Sequence, residues 1–440
     1  MIAKIIEYSA RNKFIIFLLA GFLCIWGYFS LRNTPLDAIP DLSDTQVIIY
    51  TEWPGRSPNL VEDQITYPIT ATLLAAPKVQ VVRGFSYLGS SFIYAIFEEG
   101  TDIYWARSRV LEYLQAVKNK IPSDVNPVLG PDATSVGWGF EYAIVDESAQ
   151  YDLGQLRSVQ DYNIKLALES VPGVSQVASI GGFVKQYQIT VDPNRLSAFN
   201  VPISRVMEAV KKSNKDVEGR VLEFSGVEYM VRGRGYIKSL KDLEDISVGT
   251  GGGGTPIYLK DIARIQLGPE IRRGIAELDG KGEVAGGIVV VRFGENVLNV
   301  IDRVKEKIRT VIEPSLPKGM KIVVTYDRSD LIHRSIETLK EEIIKLTLAV
   351  SVVCIVFLFH LPSALVVILT LPVAIIISFI LMYYMNVTSN IMSLSGIAIA
   401  VGAMVDASII MVENAHKKLE EWEHTPPAPP LGKDYPPPPP

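Results

Sequence analysis

From Leu346 to Val405 the chain carries no Asp, Glu, Lys or Arg, although those four types make up 21% of its 440 residues. A gap of that length excludes an ordinary globular surface there. Cysteine is almost missing, with Cys24 and Cys354 the only two and both inside apolar runs. That excludes a disulfide framework for the polar part of the chain, which must rely on packed cores. Histidine is scarce too. The first of the four histidines is His333, so a zinc site earlier in the polar part would have to be built from carboxylates alone, an unusual set. A net charge of −5 with scattered basic residues excludes a nucleic-acid partner.

What is present is segregated. The sequence is 48% hydrophobic, and its apolar residues concentrate at 14–33, 346–359, 364–385 and 391–412. These read as four membrane spans. The first is too long for a signal-peptide core and ends in Leu31-Arg32-Asn33, which is no cleavage site. Lys4, Arg11 and Lys13 precede the first span, and Lys417 and Lys418 follow the last, so both ends are expected on the cytoplasmic side. Residues 1–13 read as an interfacial helix, residues 360–363 as a tight cytoplasmic turn, and the segment from about 34 to 338 as one large domain on the opposite side.

The last span holds a single charge, Asp406. A carboxylate at that depth costs at least ~2.5 kcal/mol, so such groups usually face a bundle interior and mark an ion or proton pathway; a structural contact between helices is the plainer alternative. Helical spacing places Ser395, Gly402, Asp406 and Glu413 on one face. Glu413 is either a proton entry on that face or an interfacial charge. Met404 and Met411 share a nearly opposite face, with Met392 closer to the aspartate side. Thioethers suit Cu(I), yet intramembrane methionines more often simply pack.

The polar domain predicts a repeated βαββαβ unit. In the first copy strands are expected at 46–51, 79–87, 91–97 and 125–129, with helices beginning at Ser57 and around 110–117. The second copy has strands at 140–145, 174–180, 274–278, 284–291 and 321–325, and helices at 153–168 and 297–312. It is interrupted by an insertion at 182–273 with strands at 186–191, 221–224 and 228–232 and a helix at 203–213. The glycine run at 249–254 lacks the flanking strand, helix and Lys-Ser/Thr of a phosphate loop, so it reads as a hairpin tip. Residues 329–345 form an amphipathic lead-in to the second span, and 424–440 form a proline-rich tail that cannot build a core.

Six runs carry a resemblance: TPLDAIPDLSDTQVII, VRGFSYLGSSFIYAIFEEGTDIYWARSRVLEYL, LGPDATSVGW, RRGIAELDGKGEVAGG, TYDRS and NIMSLSGIAIAVGAMVDASIIMVENAHKKLEEW. Together they cover residues 1 to about 423. The chain resembles the N-terminal part of the heavy-metal efflux pumps of the resistance-nodulation-division superfamily, the copper/silver (CusA-like) rather than the cobalt/zinc/cadmium (CzcA-like) branch. That resemblance implies an α+β membrane protein with four transmembrane helices and a large periplasmic domain. The domain would comprise porter subdomains at 34–132 and at 133–181 with 274–328, both ferredoxin-like βαββαβ, and a docking subdomain at 182–273.

It further implies a proton antiporter of the inner membrane rather than an enzyme, working as a homotrimer with a periplasmic adaptor (membrane fusion protein) and an outer-membrane channel. Its cargo would be Cu(I) and Ag(I), with no cofactor. Asp406 matches the family's relay aspartate, and Met392, Met404 and Met411 match methionines of an intramembrane metal ladder. Where the divalent branch has an acidic residue, this chain has Ala400; where copper exporters can have a periplasmic methionine, it has Ile271. The central methionine cluster, the relay lysine and the second half of such a pump would lie beyond this chain. Competing readings are a truncated non-transporting fragment, a pump for divalent metals or organic drugs, and an intramembrane aspartyl protease, which would need a second intramembrane aspartate.

Overall fold

The computed structural model describes residues 8–9, 11–37, 39–251, 253–272, 274–358, 361–385 and 387–424. Most of the expected interfacial helix at 1–13 and of the proline-rich tail at 424–440 lies outside them. Helix α1 (Lys13–Asn33) is apolar on all sides and carries charge only at Lys13 and Arg32. It ends where the amide and hydroxyl of Thr34 both donate to the Ser30 carbonyl, at 2.9 and 2.8 Å, and Pro35 cannot continue the helical pattern.

Strand β1 (Gln46–Glu52) buries Val47, Ile49 and Thr51 and leaves the alternate residues less covered, the period-two signature of a sheet with one packed face. Helix α2 runs from Pro58–Val61 through a π turn at Glu62–Thr66 into Tyr67–Leu73. Strands β2 (Val79–Tyr87) and β3 (Ser90–Phe97) follow as a hairpin. Helix α3 (Ile103–Val117) starts where Asp102 accepts a hydrogen bond from the Trp105 amide at 2.7 Å. Strand β4 is only Val128–Leu129, shorter than the expected 125–129 because Pro127 has no amide to donate. The sheet order is β2-β3-β1-β4.

A second unit opens with β5 (Trp138–Asp146), helix α4 (Leu153–Val159, a π turn at Gln160–Ile164, then Lys165–Glu169) and β6 (Val174–Gly181). The chain then leaves for the insertion. There β7 (Lys185–Val191) precedes α5 (Pro193–Ala198), α6 (Ile203–Ser213), the hairpin β8 (Val217–Phe224) and β9 (Val227–Gly233), and α7 (Leu240–Glu244). Next come the hairpin β10 (Ser247–Thr250) and β11 (Pro256–Tyr258), the short α8 (Leu259–Ile262) and β12 (Ala263–Pro269), which closes antiparallel on β7. The glycine run is thus a hairpin tip. Leu243, Leu259 and Ile262 anchor this insertion's own core.

The unit resumes with β13 (Ala285–Val291), helix α9 (Val297–Lys307, a π turn at Ile308–Ile312, then Glu313–Ser315) and β14 (Met320–Asp327). The expected strand at 274–278 does not form. Glu277 makes one isolated bridge with Glu283, and Asp279, Gly280 and Gly282 take positive φ between them, so turn chemistry overrides the apolar pattern. The order β14-β5-β13-β6 repeats that of the first sheet when strands are numbered within each unit.

The likeness extends to the π turns. In the first unit the α2 turn buries Thr66, whose hydroxyl meets Ser86 and Ser91 at 2.8 Å. In the second, the α4 turn buries Gln160, which accepts from the Tyr142 hydroxyl at 2.9 Å and donates to Ser179 at 3.3 Å. Each buried polar group is thereby satisfied. The two units are joined at Asp132, whose carboxylate accepts from Arg292 at 2.8 Å and Tyr104 at 3.3 Å, and also from Ser175. Burial opposes its charge, but the bonds from Ser175 and the Arg292 guanidinium outweigh that and hold the carboxyl below its ordinary value.

Helix α10 (Arg328–Leu358) continues from β14 without a break, so the amphipathic lead-in and the second apolar run are one helix. Helices α11 (Leu361–Tyr384) and α12 (Ile391–His424) complete the chain. Residues 361–363, expected in a turn, already lie in the first turn of α11, where Pro362 is well tolerated. Among the described residues two helices are long and apolar enough to cross a bilayer, Lys13–Asn33 and Ile391–Ala415, and Leu369–Tyr384 is a shorter apolar helix. Helix α11 packs on α1, α10 and α12.

Candidate functional site

Helix α12 begins at a fixed point. Asn390 is 5% exposed, and its carboxamide oxygen accepts from the amides of Met392 and Ser393, both at 3.0 Å. This cap satisfies two amides that a helix start leaves open. The loop before it is locked as well: Asp37 donates its amide to the Ser389 carbonyl at 3.0 Å, and Ser389 donates to Pro35 at 2.9 Å. Leu36 and Ser389 therefore pair as a parallel bridge.

Beyond the cap, α12 has two unlike faces. Leu394, Val401 and Met404 turn inward, with Val401 and Met404 packed on Leu371 and Ile375 of α11. The Ser408 hydroxyl lies 3.5 Å from that of Thr370 and donates to the Met404 carbonyl at 2.9 Å. Ser395, Gly402, Asp406 and Glu413 are all exposed. The small and polar stripe is thus the face that the described residues leave uncovered. Asp406 follows Met404 by two positions, about 200° around the helix, which sends the carboxylate away from α11.

The three methionines do not converge. Met404 is half-buried against α11, whereas Met392 and Met411 are 66% and 62% exposed. Met404 and Met411 are about 10 Å apart along the axis, and Met392 is about 18 Å from Met404. That is a series of separated thioethers rather than a closed coordination sphere. Glu413 lies 2.9 Å from Lys417 across one turn, so its carboxylate has a basic partner. No group of three or more His, Cys, Asp or Glu poised for a metal exists among the described residues.

The sequence missed one charged pair. Arg328, the first residue of α10, is 2% exposed, and its Nη2 lies 2.8 Å from Oδ1 of Asp37, just past α1. The pairing is long-range, and only the Asp-Arg-Ser step from strand to helix could have drawn attention to Arg328. Beside it, burial opposes the charge of Asp327, but hydrogen bonds from Lys305 and Ser329 prevail and lower its carboxyl below 3.8.

Tandem split βαβ sheets carried on apolar helices, one of which holds a lone carboxylate, are the fold of the resistance-nodulation-division transporters. The model of the AcrB/AcrD/AcrF family matches residues 5–432, and the chain belongs to that family. It is 53% identical over 424 residues to a protein named putative cation efflux system protein SilA from Salmonella typhimurium. It is 52% identical over 424 residues to the cation efflux system protein CusA of Escherichia coli K12. Each match covers 96% of this chain and 40% of the relative. The fold is similar to a solved heavy metal efflux pump with a TM-score of 0.84 at 29% identity, over 94% of this chain and 41% of that one. The chain therefore spans about two fifths of the length of these relatives.

Proposed function

We propose that this chain is the N-terminal part of a proton-coupled exporter of soft monovalent metal ions, Cu(I) and Ag(I), in the bacterial inner membrane. The observation that carries it is the stripe around Asp406, the one charged residue within 346–412, set on a face of α12 that the described residues leave open. A carboxyl there is positioned to meet a partner from the remaining length of the pump and to exchange a proton as it does so. Four spans, 14–33, 346–359, 364–385 and 391–412, hold the large domain in the periplasm in this reading.

The cargo follows from the donors. Thioethers at Met392, Met404 and Met411 favour Cu(I) and Ag(I) over zinc, and Ala400 stands where the divalent branch has an acidic residue. The 52% and 53% identities to two cation efflux proteins support this reading. Assembly as a homotrimer is supported by the β8–β9 hairpin, whose Val221, Leu222, Phe224, Tyr229 and Met230 are exposed on both faces. Such a hairpin is not stable alone in water and calls for cover from another chain. A periplasmic adaptor and an outer-membrane channel complete the proposed path.

The test is Asp406→Asn in a full-length pump carrying this chain, reconstituted in proteoliposomes. Silver export and the accompanying proton movement should both be abolished while the trimer still forms. Wild-type transport by the variant would overturn the relay assignment.

A further inference from the structure

Where the membrane helices meet the periplasmic sheets, one buried guanidinium joins segments from three parts of the chain. Arg328 follows Asp327 of β14 and starts α10 with no linker between them. Its Nη1 donates to the Val136 carbonyl, just ahead of β5. Its Nη2 forms an ion pair with Asp37 at 2.8 Å, the two side chains being 3% and 15% exposed. Within the described residues neither Nε nor Nη2 has a hydrogen-bond partner, so the Asp37 contact is a charge pairing rather than an aligned hydrogen bond. A buried charge is strongly destabilising when its counterion is removed, so this contact resists separation.

Asp37 is itself tied to α12. Its amide donates to the Ser389 carbonyl at 3.0 Å, the Ser389 amide donates to Pro35, and Ser389 is 2% exposed and adjoins the Asn390 cap. A continuous polar route therefore runs from α12 through Ser389 and Asp37 to Arg328, then into β14 and the entry to β5. Asp406 lies sixteen positions beyond Asn390 on the same helix, about 24 Å along its axis. On the side of Arg328 a cleft of about 260 Å³ lined by Ile39, Ser135, Trp138, Glu141 and Tyr326 leaves room for the joint to shift.

We propose that Asp37 and Arg328 are positioning residues that transmit displacement of α12 to the second sheet unit, coupling the state of the membrane helix to the periplasmic domain. This rests on the transport reading above. Helices are stiff, and the two residues are linked by an ion pair, with the Asp37 amide bonded to Ser389 and the Arg328 guanidinium bonded to the Val136 carbonyl. Coupling requires a discrete joint whose equilibrium both ends bias, and the Asp37–Arg328 contact is placed to be that joint.

The experiment uses a full-length pump carrying this chain, in proteoliposomes with silver ion as the probe and an internal pH dye. Asp37→Asn keeps the shape of the side chain and removes its charge. Arg328→Lys keeps the charge and removes the fork. Each variant should lower turnover by about tenfold or more, with KM within about twofold, because binding is untouched and only a later step is impaired. Protons moved per silver ion exported should rise, which a merely stabilising pair would not cause. Trimer yield should match the wild type in Arg328→Lys, which keeps both charges of the pair.

Turnover within about twofold of wild type in Asp37→Asn overturns the proposal. Loss of the trimer in both variants also overturns it, since the pair would then be structural only. A wild-type pump that moves no silver defeats the transport reading itself, and this inference with it. Wild-type export alongside unchanged variants defeats this inference alone.

Discussion

A side chain on Gly27 of α1 would collide with Ile376 of α11: a Cβ there would fall on the Ile376 carbonyl oxygen and 2.5 Å from its Cγ2. Close backbone approach of this kind is what small residues permit between helices in lipid. Just beyond the crossing, Trp26 meets Tyr384 edge to face with ring centres 5.9 Å apart. Gly27→Leu should separate the two helices and cost about 1 to 3 kcal/mol as overpacking. The check is a cysteine cross-link across the α1–α11 crossing in membranes. An undiminished cross-link would show that the helices adjust without separating.

Asp327 supplies a prediction about pH. Its carboxylate caps α10 by accepting from the Ser329 amide at 2.9 Å, and it also pairs with Lys305. Its carboxyl is lowered in the folded state, so the stabilisation is present above the ordinary 3.8 and is lost as the pH falls through the lower folded value. Asp327→Asn should cost about 0.5 to 2 kcal/mol at neutral pH through the weakened cap. The gap in thermal midpoint between wild type and variant should stay constant above about pH 4 and close below it. A gap that persists at lower pH would contradict the assignment.

Glu413 is paired with Lys417 at 2.9 Å in the C-terminal part of α12. That contact raises the Lys417 ammonium above its ordinary value, through the hydrogen bond first and the charge second. A surface pair of this type contributes little. Glu413→Gln is therefore expected to leave silver export in proteoliposomes within about threefold of wild type. A much larger loss would make Glu413 part of the proton route.

The exposed β8–β9 hairpin separates assembly from folding. None of its residues belongs to the insertion's core around Leu243, Leu259 and Ile262. Replacing Val221, Phe224, Tyr229 and Met230 by serine should leave the thermal midpoint of an isolated protomer almost unchanged. Native mass measurements should show fewer trimers. Retention of the trimer would mean that the hairpin is not an intersubunit contact.

Much of the architecture was legible because local pattern and tertiary role agree. Period-two burial in Val47, Ile49 and Thr51 marked β1, and the helix predicted at 203–213 is Ile203–Ser213. What escaped depended on other forces. The segment at 274–278 has a strand's apolar residues, but the Asp279-Gly280 turn folds it back beside a sheet already complete. The π turns at Glu62–Thr66, Gln160–Ile164 and Ile308–Ile312 lie inside helices that the apolar spacing reads as continuous. Asp406 and the methionines could be singled out on a helical wheel. Only the structure shows that Met404 faces α11 while the Asp406 stripe is left open. The Asp37–Arg328 pair had no local signal because its partners lie at opposite ends of the folded domain's sequence.

The last prediction concerns the metal path. Met404 packs on Leu371 and Val401, so its thioether is covered on one side, whereas Met411 is 62% exposed on this chain. If both line a path for soft ions, changing them to leucine removes the sulfur ligands while conserving volume and apolarity. The double variant should then lose less than about 1.5 kcal/mol of stability. Cells expressing a full-length pump with Met404→Leu and Met411→Leu should lose silver tolerance at unchanged protein level, because a hydrocarbon cannot coordinate Ag(I). The single variants sharpen the reading. Met411→Leu alone should impair tolerance if exposed thioethers meet ligands from the remaining length of the pump. Full tolerance in the double variant would make both methionines packing residues and remove the ladder from the mechanism.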